Sequence, residues 1–90
     1  MPTPSLSELT RRLAVDGNRL ALLRARTSSP ATLETIARAE ESNAALRSDC
    51  QRAAGIDLAS RRRLTAKVNL QLRLTASLAG IVDHEQRSLS

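Results

Sequence analysis

Few side chains in this sequence could do chemistry, and their spacing decides what they can do. His84 is the only histidine, set between Asp83 and Glu85, and Cys50 is the only thiol. A nucleophilic site would need His84 beside Cys50 or a serine, with a glycine-rich turn to hold an oxyanion. No such turn occurs among the three glycines. Asp83, His84, Glu85 and Cys50 also lack the ligand spacing of zinc or calcium motifs. Phosphate loops and dinucleotide fingerprints are missing. The expectation is a protein that is not an enzyme, with no catalytic residue, no metal, no cofactor and no small-molecule substrate. His84 reads as a solvated side chain and Cys50 as a small core residue.

The remaining chemical signal is charge. Thirteen Arg and one Lys give a formal net charge of +5 and a pI of about 11.3. Arg61, Arg62, Arg63 and Lys67 form a basic run, and Arg11, Arg12, Arg19, Arg24 and Arg26 form a second group. Residues 1–28 carry +3, 29–56 carry −1 and 57–90 carry +3. Phosphate contacts use such residues, which makes nucleic acid a possible partner. The chain has no Phe, Tyr or Trp, which disfavours single-strand binding by base stacking. The same lack removes the usual anchors of a membrane-surface helix, and no run approaches the roughly 20 apolar residues of a spanning helix. No membrane partner is expected.

These residues must be positioned by a small scaffold. Ninety residues make one domain near the lower size limit for a self-sufficient core. The apolar content is mainly Leu and Ala, which suits closely packed helices better than a sheet sandwich. One cysteine excludes an internal disulfide and fits a reducing compartment. The N-terminal residues lack the pattern of a secretory signal. A soluble, cytoplasmic protein follows as the expectation, bacterial or phage-encoded if the Arg bias reflects GC-rich coding.

Three helices are expected, at about 6–26, 30–54 and 58–86. Ser5 and Glu8 have capping-box spacing, and Leu6, Leu9, Leu13, Leu20 and Leu23 recur at helical intervals, missing only at Asp16. Gly17 weakens that helix by up to ~1 kcal/mol against Ala. Ser29 and Pro30 open the second helix. Along it Ile36, Ala39, Asn43, Leu46, Cys50 and Ala53 form a seam of alternating threes and fours. Asn43 either fixes register there or lies at the seam's wet edge. Gly55 and Ile56 spell a left-handed stop, and Asp57 caps the third helix.

The third segment is the most apolar. Every even position from Leu64 to Leu78 is apolar, a pattern that a strand would also satisfy. Leu, Ala, Arg, Gln and Lys favour helix, and no hairpin turn follows. As a helix it carries two ladders, Leu64–Val68–Leu72 and Ala66–Leu70–Leu74–Leu78. One packs on the first two helices and the other is left for a partner, because large exposed apolar stripes are uncommon on soluble monomers. The fold class is all-α: a three-helix bundle, or an elongated helical hairpin plus a third helix, with coiled-coil-like packing.

Thr32-Leu33-Glu34-Thr35-Ile36-Ala37-Arg38 resembles the first helix of the helix-turn-helix in LacI-type repressors, with Ala45 where that motif often has a small residue. The resemblance covers about seven residues and implies DNA binding. The chain departs from it at Glu40-Glu41, in place of the turn's small residue and glycine, and at Arg47, in place of a buried aliphatic.

The leading functional expectation is a non-enzymatic interaction module: an adaptor, chaperone or inhibitor that binds a partner protein, itself, or both. Its contact residues are Leu70, Leu74, Leu78 and Ile81, with a homo-oligomer expected and a dimer favoured. Arg61, Arg62, Arg63 and Lys67 form a charged rim, or contact nucleic acid in the alternative reading of a small basic DNA-binding protein.

Overall fold

The helix starts, and the stops of the first two helices, fall where end residues can satisfy free backbone groups. In the computed structural model, which describes residues 3–53 and 55–89, α1 spans Leu6–Arg26, α2 spans Pro30–Arg52 and α3 spans Leu58–Leu89. The Ser5 hydroxyl accepts from the Glu8 amide at 3.1 Å. Glu8 itself turns outward to pair with Arg11 and Arg12, so the box shows only this half. Ser29 accepts from the Thr32 amide at 3.4 Å, with Pro30 in the first helical position, where its missing N–H costs no helical hydrogen bond.

The stop after α2 uses Gly55 at φ 83°, a left-handed conformation that glycine adopts without a Cβ clash. The Ile56 amide then donates to the Ala53 carbonyl at 3.0 Å, and the Ile56 side chain packs on the core. α2 ends at Arg52, two residues before the expected Ala54, which lies outside the described residues. Asp57 caps α3 by accepting from the Ser60 amide at 2.7 Å. That hydrogen bond holds the Asp57 carboxyl below its usual range. α3 continues through Gly80 and past the expected end at Gln86 to Leu89.

The helices run up, down and up, so α1 and α3 are parallel. Leu9 and Leu13 of α1 meet Leu46, Cys50 and Ala53 of α2 and Leu64 and Val68 of α3 at one end. Leu20 and Leu23 meet Ile36, Ala39, Leu78 and Val82 at the other. Principal extents of 50 × 24 × 16 Å and a radius of gyration of 14.6 Å describe a rod, against about 12 Å for a compact chain of this length. All three pairs of helices pack against each other. Among the described residues there is no strand, so the alternating apolar pattern of 64–78 belongs to a helix.

The two apolar clusters are separated by a polar layer to which every helix contributes one side chain. Asp16 is 1% exposed, and Asn43 and Gln71 are each 4% exposed. Asp16 Oδ2 accepts from Asn43 Nδ2 at 2.9 Å and from Gln71 Nε2 at 3.0 Å. The same two amides donate to the Leu13 and Ala39 carbonyls at 2.8 and 2.9 Å. Asp16, the gap in the leucine spacing of α1, is therefore a seam position. Asn43 lies inside the seam, not at its wet edge.

At the far end the last turns of α3 clasp the α1–α2 connection. Glu85 accepts from the Thr27 and Thr32 hydroxyls at 2.5 and 2.6 Å. Arg26 pairs with Asp83 at 2.9 Å, and Gln86 donates to the Arg26 carbonyl. The two threonine hydrogen bonds hold the Glu85 carboxyl below its ordinary 4.5.

Candidate interaction surface

The buried seam of α3 determines what the helix leaves outside. Leu64, Val68, Gln71, Thr75, Leu78 and Val82 are buried, at spacings of four, three, four, three and four. Neither expected ladder is this seam, because a straight row of fours drifts around the helix while alternating threes and fours keep facing the partners. The correction matters for one site residue. Leu78 is 2% exposed and belongs to the core with Leu20, Leu23, Ile36 and Val82, so it is no surface contact.

The other three expected contact residues lie outside. Leu70 is 64% exposed, Ile81 49% and Leu74 40%. They share one flank of α3, turned from the core seam toward α2. There Leu70 and Leu74 line a groove of about 450 Å³ with Ser42, Leu46, Lys67 and Gln71. A second, smaller groove of about 210 Å³ runs between α1 and α3, lined by Leu22, Leu23, Thr75 and Ala79 among others. Leu22 and Val15 of α1 are also exposed. The α2–α3 groove is the larger of the two and has two exposed leucines one turn apart.

The charged rim is distributed around α3. Arg62, Arg63 and Lys67 are exposed and Arg61 is half-buried, with a buried Nε that has no hydrogen-bond partner. Lys67 lines the α2–α3 groove, and Arg63 lies one turn beyond it, donating to the Ser60 hydroxyl at 3.1 Å. From Leu58 to Val82 the helix carries five cations (Arg61, Arg62, Arg63, Lys67 and Arg73) and no acidic residue. The other nine basic residues balance the nine acidic ones, so this stretch accounts for the whole net charge. None of the five forms an ion pair among the described residues, whereas Arg11, Arg12, Arg24, Arg26, Arg38 and Arg52 do.

The helix-turn-helix implied by the LacI-type resemblance does not form. α2 runs unbroken through Glu40 and Glu41, and Glu40 pairs with Arg24 of α1. Cys50 is 5% exposed, and burial pushes its thiol up, the opposite of an activated nucleophile. His84 is exposed, and no cluster of three or more metal-ligating side chains occurs among the described residues. No described helix is long and apolar enough to cross a membrane.

Two buried polar residues escape a reading based on apolar spacing: Gln71 of the polar layer and Thr75, one turn on, sit on the buried face of α3 between its leucines. The usable signal was Asn43, whose partners must be polar if it is buried. Comparison with protein-family models, with curated proteins and with solved structures finds no match.

Proposed function

We propose that this protein is a non-enzymatic interaction module, of the adaptor, chaperone or inhibitor kind, that binds a partner protein along the α2-facing flank of α3. One observation carries the reading. The bundle closes both apolar clusters with its own side chains, yet leaves Leu70, Leu74 and Ile81 on a single flank beside an apolar groove. Full burial of one such side chain is worth about 1.5–3 kcal/mol, so three of them supply a useful part of a binding energy. A photo-crosslinking residue placed at Leu70 or Leu74 in cells should give discrete protein adducts. The same residue at Arg11, exposed on the outer face of α1, should not. Equal adducts from both positions, or none from either, would contradict the reading.

A second reading rests on the unpaired cations of α3, which could meet phosphates. Without Trp or Tyr the protein absorbs little in the near ultraviolet, so a 260 nm signal reports bound nucleic acid. Retained nucleic acid that Arg61→Ala/Arg62→Ala/Arg63→Ala releases, and that Leu70→Ser/Leu74→Ser keeps, would put this reading first.

A further inference from the structure

The exposed flank of α3 has a period of its own. Arg63, Lys67, Leu70, Leu74, Ser77 and Ile81 follow one another at spacings of four, three, four, three and four. That is a second heptad seam, turned about a quarter of the way round the helix from the buried one. Its shape complement is another α-helix, because alternating threes and fours offer knobs and holes at helical intervals. The α2 wall of the groove includes Ser42, whose small side chain lets a helix approach closely.

The charge along this seam is uneven. Two cations occupy one end, the middle and far end are leucines, a serine and an isoleucine, and no acidic residue lies on it. Asp49, which lines a pocket with Arg63 and Lys67 at the groove end, is already paired with Arg52 at 3.0 Å. A second copy offers this seam no charge complement. Parallel copies would set Arg63 and Lys67 against themselves. Antiparallel copies centred between Leu70 and Leu74 would set them against Ile81 and Ser77. Neither arrangement supplies a carboxylate to the cations, and the parallel one also sets like charges at close quarters, which opposes association.

We propose that the α2–α3 groove takes a fourth helix from a different protein: an acidic amphipathic helix with apolar residues at heptad spacing over Leu70, Leu74 and Ile81, and carboxylates beside Arg63 and Lys67. The proposal rests on the interaction reading above and names the chemistry of its partner. Apolar burial holds the helix, and the two cations fix its direction, because only one orientation brings its carboxylates to the basic end.

The test is a selection on the immobilised full-length protein. The probe is a displayed library of helical peptides with leucine fixed on one seam and flanking positions randomised among Glu, Lys and Ser. Binders to Leu70→Ser/Leu74→Ser protein are removed first; both residues are exposed, and circular dichroism confirms that the variant folds. Survivors should concentrate Glu toward one end of the peptide. A synthetic survivor should bind Arg63→Glu/Lys67→Glu protein about tenfold more weakly at low salt, with a smaller difference at high salt. Survivors rich in Lys, or indifferent to charge, overturn the acidic partner and leave the interaction face standing. A dimer of the purified protein that Leu70→Ser/Leu74→Ser dissociates does the same, in favour of a second copy. Anionic vesicles or duplex DNA bound through this seam, in place of peptides, overturn the protein partner. No survivor that tells the wild type from the Leu70→Ser/Leu74→Ser protein overturns both the inference and the reading beneath it.

Discussion

A carboxylate that accepts two amide hydrogen bonds on Oδ2, while its buried Oδ1 has no partner, is costly to keep in a bundle core. Asp16 holds that place, and its value lies in what it specifies. Asn43 and Gln71 reach it only when the three helices stand at one mutual height, so a one-heptad slip of any helix strands a buried polar group. Asp16→Ala should cost about 1–3 kcal/mol in urea unfolding, since it removes the shared acceptor. Asp16→Leu/Asn43→Leu/Gln71→Leu should instead stabilise the bundle by about 1–4 kcal/mol, while broadening its mass distribution in solution. A stabilised triple variant that stays a single species would show that the layer does not specify packing. Gly17 is the neighbouring test of backbone cost. A Cβ there would sit 3.5 Å from Asn43 Oδ1, an ordinary contact. Gly17→Ala should therefore add about 0.5–1 kcal/mol, as a helix-interior glycine replacement does.

At the scale of the element, α3 serves two seams at once. The inner one buries Leu78 and Val82, and the outer one presents Leu70, Leu74 and Ile81. The two faces predict opposite responses to truncation. Leu78→Ala should destabilise by about 2–5 kcal/mol, because it empties a filled core position. Leu70→Ala should stay within about 0.5 kcal/mol, as exposed substitutions do. Chemical denaturation of the two variants separates them. This division was only partly legible in the sequence. Helix boundaries were readable from Ser5, Ser29, Pro30, Gly55 and Asp57, because caps and stops are local chemistry. The α2 seam was readable because Asn43 is flanked by apolar residues, Ala39 and Leu46, at clear heptad spacing. The α3 seam was not. Six apolar residues at even positions from 66 to 76 outweigh Gln71 and Thr75 in any count of hydrophobicity. The buried Gln71 amide is satisfied by Asp16 and the Ala39 carbonyl, more than 30 positions away, and Thr75 bonds back to the Gln71 carbonyl. Leu70, Leu74 and Ile81 were found as surface residues, whereas Leu78 was assigned to the wrong face for the same reason.

For the molecule as a whole, charge is divided between helices. The arginines of α1 and α2 largely pair with carboxylates, while the unpaired cations gather on the N-terminal two-thirds of α3. Exposed pairs of this kind add little stability, so the division matters for what the surface attracts more than for how the chain folds. The far end of the rod depends on pH through Glu85, which joins α3 to Thr27 and Thr32. Its carboxyl is held below 4.5, so its contribution to stability is complete above that pH and is lost as pH falls through the lower folded-state value. Glu85→Gln should flatten the acid limb of the stability curve below about pH 4.5, measured by thermal unfolding across pH. An unchanged acid limb would place the acid sensitivity elsewhere.

The central claim is that the outer seam of α3 is an open face for a helix of a different protein. Light-scattering mass of the purified, nucleic-acid-free protein, over a range of concentrations and at low and high salt, tests it most directly. A constant 9.8 kDa monomer is predicted. A dimer that persists on dilution and falls apart in Leu70→Ser/Leu74→Ser would contradict it, because the seam would then be covered by a second copy of the same chain.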